Sequence, residues 1–142
     1  MRRVPRKSPV NRRLRAYGAA AVVMLVFDLL WLGVIAPPLY QATIGPLLRP
    51  QPGVLAAVLF YAIYVIGLCE FVVLAAAPGA TSSSVAARGA MFGFVAYATF
   101  DLTALAMLKG WSVLVTAVDM AWGTLLTGTV AAAAHRFARA RD

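Results

Sequence analysis

The chain carries five acidic residues, and four of them, Asp28, Glu70, Asp101 and Asp119, fall inside long apolar runs. A carboxylate in the middle of a membrane helix costs about 2.5–3.5 kcal/mol to insert. Such a group needs a hydrogen-bond partner, a bound cation or a proton of its own. Position along each run converts to depth at about 1.5 Å per residue. Asp28 lies about 3 Å from the middle of its run, and Asp101 and Asp119 lie about 5–6 Å from theirs, all toward the same membrane face. These three share one layer and form the candidate intramembrane polar site. Glu70 is displaced about 7 Å the other way and stands as a secondary candidate in a different layer. No Lys, Arg or His shares the depth of the three aspartates. Lys109, about 12 Å beyond Asp101 along the axis, is near enough to snorkel part of that distance. Three carboxylates in a dry layer without a counter-charge cannot all be ionised. They are protonated and hydrogen-bonded, or hold a cation or a proton-donating substrate, or open to a water-filled cleft.

Their neighbours extend the pattern. Trp31 follows Asp28, and Trp122 follows Asp119, at the three-residue spacing that shares a helix face. Tyr97 stands one turn before Asp101, and Thr116 and Gly123 flank Asp119 on its stripe. Indole N–H and threonine hydroxyl groups can donate to a carboxylate. The site is therefore expected among Asp28, Asp101, Asp119, Trp31, Trp122, Tyr97 and Thr116. The competing expectation is that these groups only hydrogen-bond between helices as packing glue. Gly89 and Gly93 form a G-x-x-x-G, and Thr124 and Gly128 a similar small-residue pair; with Gly123 they are expected to let helices pack closely. Phe27-Asp28-Leu29 recurs as Phe100-Asp101-Leu102 at matching depth, a hint of two related hairpins.

Other chemistry is absent from the pattern. Cys69 is the one cysteine, has no disulfide partner and reads as a small buried hydrophobe. His135 is the one histidine, too few for a metal site. No metalloprotease, nucleophile-elbow or phosphate-loop motif occurs. No metal and no cofactor are expected, and an enzymatic role is the less favoured reading.

The elements that must position these residues follow from composition. Apolar residues make up 62% of the 142 and charged residues 13%, against about 45–50% and 25% in soluble chains. A water-soluble body of this composition would expose large apolar patches. Four runs reach the roughly 20 residues a membrane helix needs: about 16–36, 54–77, 86–108 and 111–133. Pro37-Pro38, Pro78-Gly79 and Lys109-Gly110 are expected to end the first three. The fold expected is an all-α four-helix transmembrane bundle (16–133) between a basic arm (1–15) and a basic tail (134–142).

With four spans, both termini and the Pro78–Val85 loop share one side. That side gathers Arg2, Arg3, Arg6, Lys7, Arg12, Arg13, Arg15, Arg88, Arg136, Arg139 and Arg141, whereas the other holds Arg49 and Lys109. The excess of basic residues inside the cell places both termini in the cytoplasm. The net charge of +8 is read as contact with anionic lipid heads, with no nucleic-acid partner. A cleaved signal peptide is disfavoured by the length of the first run and by Asp28 within it.

Blocks of residues recur here in a recognisable order: Asp28-Leu29-Leu30-Trp31-Leu32-Gly33, Leu59-Phe60-Tyr61-Ala62-Ile63-Tyr64, Phe92 to Thr103, Lys109-Gly110-Trp111, and Val118-Asp119-Met120-Ala121-Trp122-Gly123-Thr124. Together, from about Ala16 to Ala133, they resemble a bacterial family of small membrane proteins, domain of unknown function 2177. The resemblance implies a four-span, multi-pass protein of the bacterial inner membrane. It also implies Asn at the position of Ala104. The favoured function is a small binding or permeation unit whose carboxylate layer handles a proton, a cation or a polar lipid headgroup. The alternatives are a structural or assembly subunit of a membrane complex, and an intramembrane lipid-modifying enzyme. The partner expected is the lipid bilayer, with other membrane subunits or a second copy as further candidates.

Overall fold

The computed structural model describes residues 9–139. Arg2, Arg3, Arg6 and Lys7 of the expected arm, and Arg141 and Asp142 of the tail, lie outside the described residues. Helix α1 covers Pro9–Leu30. Arg12, Arg13 and Arg15 are therefore helical. One row of α1 at four-residue spacing, Ala16, Ala20, Met24 and Asp28, is buried.

The helix does not stop at Pro37-Pro38. At Trp31–Ile35 it widens into a π turn, closed by the Ala36 N–H on the Trp31 carbonyl, and continues as α2 (Ala36–Ile44). A proline inside a helix lacks an N–H and its ring collides with the carbonyl four residues back. The wider turn just before the pair relieves that collision, and the prolines fall in the first turn of α2, where they are tolerated. A single 3₁₀ turn, Gly45–Leu47, ends the segment.

Helix α3 (Val54–Leu68) also runs into a π turn, Cys69–Val73, closed by the Leu74 N–H on the Cys69 carbonyl at 2.8 Å. Helix α4 (Ser82–Met107) is capped by Thr81, whose hydroxyl accepts from the Ser84 N–H at 3.2 Å. Helix α5 (Val113–Arg139) ends on Arg136 and Arg139, which suit the negative end of a helix dipole. The Arg139 guanidinium donates to the Ala80 carbonyl at 2.7 Å. Between α4 and α5, Gly110 adopts φ 82°, open to glycine at little cost, and the connection is short.

Among the described residues, four segments are long and apolar enough to cross a membrane: Val10–Leu47, Val54–Val73, Ser82–Met107 and Val113–Arg139. Large apolar side chains face outward, with Leu29 72% and Leu125 69% exposed, while Asp101 is fully buried. This inverts the soluble pattern and presents hydrocarbon to lipid.

Packing is uneven. Helices α4 and α5 lie together and α1 packs on α5, whereas α3 approaches α4 and α5 chiefly at its π turn. The apolar core occupies the half of the bundle nearer the termini. It joins Ala16, Ala20 and Met24 to Leu68, Val73, Val130 and Ala134. Cys69 is buried within it. In this half α4 and α5 approach so closely that a methyl group on Gly93 would collide with the Gly123 carbonyl and the Thr127 side chain. A methyl on Gly89 would meet Ala131 and the Thr127 carbonyl. Gly128 faces Ala86 and Ala90. Thr124 turns its hydroxyl to the Met120 carbonyl of its own helix, 2.7 Å away.

Candidate functional site

Beyond the core, the same helices carry the polar layer. Asp28, Asp101 and Asp119 are all buried, at 4%, 0% and 7% exposure. One tryptophan bonds an acid directly, and the other meets the tyrosine that bonds a second acid. The Trp122 indole on α5 donates to Asp28 Oδ1 on α1 at 3.2 Å. Trp31, in the π turn, makes a long contact to the Tyr40 hydroxyl at 3.4 Å, and Tyr40 donates to Asp119 Oδ1 at 2.6 Å. The two indoles stack, with centroids 4.4 Å apart and planes within 8°. A continuous path thus joins Asp28 to Asp119 through Trp122, Trp31 and Tyr40. Same-face spacing brought the right residue types together, but the donors exchange between helices. Trp122 is thus the donor to Asp28, and Tyr40 is the donor to Asp119.

Asp101 differs. Among the described residues, neither of its carboxyl oxygens has a hydrogen-bond partner, although the side chain is fully buried. A buried polar group without a partner is rare and costly. Its neighbour one turn on, Ala104, is buried and has no group to offer. The shared Phe-Asp-Leu tripeptide therefore sits in two unlike settings, since Asp28 has an indole donor and Asp101 none.

Asp101 and Asp119 line one cavity of about 450 Å³. Its other walls are aromatic: Phe60 and Tyr64 of α3, and Tyr97 and Phe100 of α4. Tyr97 lies over Gly123, where a side chain would overlap its ring, and meets Tyr64 edge-on at 6.4 Å. Tyr97 thus shares the cavity with Asp101 without bonding it. The Tyr64 hydroxyl bonds Thr127 at 2.7 Å, which holds its ring at the boundary between core and cavity.

Thr116 is buried but is engaged elsewhere. It accepts from the Trp111 indole and donates to the Ser112 carbonyl, both at 3.1 Å. Glu70 stands apart, within the second π turn. It accepts from the Tyr17 hydroxyl at 2.7 Å and from Arg13 at 3.2 Å. Among the described residues, no group of three or more His, Cys, Asp or Glu could hold a metal ion. His135 is buried, with Nδ1 3.5 Å from the Ser82 hydroxyl.

Sequence reasoning passed over Tyr40, Phe60, Tyr64 and Phe100. Tyr40 had a readable signal: Pro37-Pro38 followed by Leu39-Tyr40-Gln41-Ala42 fits the first turn of a new helix as well as a stop.

Fold and site together define a multi-pass membrane protein, four apolar helices around a buried acidic and aromatic layer. The chain belongs to the family described as predicted membrane protein (DUF2177), whose model matches residues 13–136. No curated protein and no solved structure matches it.

Proposed function

We propose that the protein is a small binding or permeation unit of the bacterial inner membrane, with both termini cytoplasmic. Its site is the Asp28, Asp101 and Asp119 layer, which takes up a proton, a cation or a polar headgroup. The observation that carries this reading is Asp101, whose two oxygens are buried beside a cavity of about 450 Å³ without a partner. Packing glue would require a donor there, and intramembrane carboxylates are functional by default. The orientation rests on Arg12, Arg13, Arg15, Arg136 and Arg139 gathering where the termini lie.

The test is an infrared titration of the carboxyl C=O band on protein in lipid, with Asp28→Asn, Asp101→Asn and Asp119→Asn assigning the bands. The Asp101 band is expected to shift with pH or with an added cation. Bands unmoved under every condition would overturn the proposal.

A second reading, an assembly subunit, draws on Asp28 and Asp119. Each already accepts a hydrogen bond from an aromatic donor on another segment, as interhelical glue does. A constant membrane partner recovered with the protein would favour it, and a clean monomer would count against it.

A further inference from the structure

The cavity beside Asp101 has a chemistry more specific than a carboxylate layer. Its volume of about 450 Å³ falls in the range of small-molecule pockets, about 300–1,000 Å³. A proton or a single metal ion would leave most of it empty. A metal ion would also need several oxygen ligands. Here two carboxyl residues share the lining with four aromatic rings, and no three-residue ligand cluster exists among the described residues.

The rings carry the argument further. Phe60 and Tyr64 lie 5.6 Å apart at 59°, and Tyr64 meets Tyr97 nearly perpendicular at 86°, so ring faces and edges surround the space from two helices. Aromatic faces attract a positive charge most strongly when it is weakly hydrated. An alkylated nitrogen meets that condition better than a hydrated inorganic ion. None of the lining residues is basic, so the walls offer no counter-charge to an anion.

Two of the lining rings also reach the outer surface. Phe60 is 44% exposed and Phe100 62% exposed on the outer surface of the bundle. They stand on α3 and α4, which approach each other chiefly at the Cys69–Val73 end, away from these rings. Approach between these two rings is from the lipid-facing side, which suits a cation with an apolar body.

We propose that this cavity binds an alkylammonium ion, its charged nitrogen held against Asp101 and Asp119 and enclosed by Phe60, Tyr64, Tyr97 and Phe100. The proposal rests on the reading of the acidic layer as a binding site and names its ligand class. Two sources share this chemistry, a free amphiphilic amine and the ammonium of a phospholipid headgroup.

The test uses the full chain in dodecyl maltoside micelles, which contain no ammonium. Octyltrimethylammonium is titrated by calorimetry beside its neutral isostere 2,2-dimethyldecane, and the carboxyl infrared band is followed against pH and potassium. Saturable binding of the cation but not the isostere is expected. Asp101→Asn should weaken it about tenfold or more, and Phe60→Leu about two- to tenfold. Glu70→Gln should leave it unchanged. Phe60 is lipid-facing, so its variant decides the matter if Asp101→Asn does not fold. Competition by added phosphatidylethanolamine assigns the site to a headgroup, and its absence to free amines; either supports the proposal. Ammonium binding that ignores both Asp101→Asn and Phe60→Leu overturns it. A carboxyl band that answers pH or potassium while octyltrimethylammonium does not bind overturns it but leaves the proposed function standing. No response to any probe overturns both.

Discussion

Along the α4–α5 pair, two rows face each other at four-residue spacing: Gly89, Gly93, Tyr97 and Asp101 against Asp119, Gly123, Thr127 and Ala131. In the half nearer the termini the rows hold glycine, threonine and alanine, and the helices touch backbone to side chain. In the other half the same rows carry Tyr97, Asp101 and Asp119, and a cavity of about 450 Å³ opens beside them. One geometry of crossing therefore yields a dry seam at one end and a polar hollow at the other. In a bilayer, where lipid competes with apolar packing, close approach of small residues supplies the attraction. The seam fixes the pair so that the hollow need not be filled.

The contrast can be broken most severely at the seam. Gly93→Leu should cost about 3 kcal/mol or more, because even a methyl there collides with Gly123 and Thr127. Loss of folded, monodisperse protein in detergent would show it, and a fully folded variant would refute the close approach. In the hollow the sign reverses. Asp101→Leu should raise resistance to denaturation by dodecyl sulfate by about 1–3 kcal/mol, since it removes a buried carboxyl that has no partner. Unfolding followed by circular dichroism measures both changes on one scale.

Between these extremes lies the aromatic relay. Trp122→Leu removes the donor to Asp28 and the stack on Trp31, a loss of about 1–3 kcal/mol. Tyr40→Phe removes only the hydroxyl that reaches Asp119 and should cost about 0.6–2 kcal/mol by the same assay. The smallest effect belongs to the seam end. Arg13→Gln breaks an ion pair whose arginine is 62% exposed and should change stability by at most about 1 kcal/mol. A larger loss there would mean that the ends of the bundle, and not the seam, hold it together.

The sequence made much of this legible. Apolar runs gave the four spans, and a count of residues at the usual helical rise gave an expected depth for each acid. That count grouped Asp28 with Asp101 and Asp119 and separated Glu70. What it could not give is which donor meets which acid. Spacing on one helix says only what shares a face, whereas Trp122 reaches across to Asp28 and Trp31 toward Tyr40. The continuation through Pro37-Pro38 was hidden for another reason. A proline pair both ends and begins helices, and the π turn that reconciles the two depends on packing around Trp31. The bare state of Asp101 was also out of reach, since a missing partner is a property of all neighbours at once.

The length of the first span has a mechanical consequence. Val10–Leu47 is 38 residues, about 57 Å if straight, against a hydrocarbon thickness of about 30 Å. Such a mismatch is met by tilt or by a bend, and the π turn at Trp31–Ile35 with the prolines after it supplies a place to bend. Tyr40 lies beyond that place and holds Asp119. A change in bilayer thickness that altered this bend would be passed to the hydroxyl that bonds Asp119. Thin and thick membranes would then pose different boundary conditions for the same pair of residues, with lipid chain length as the variable that sets them.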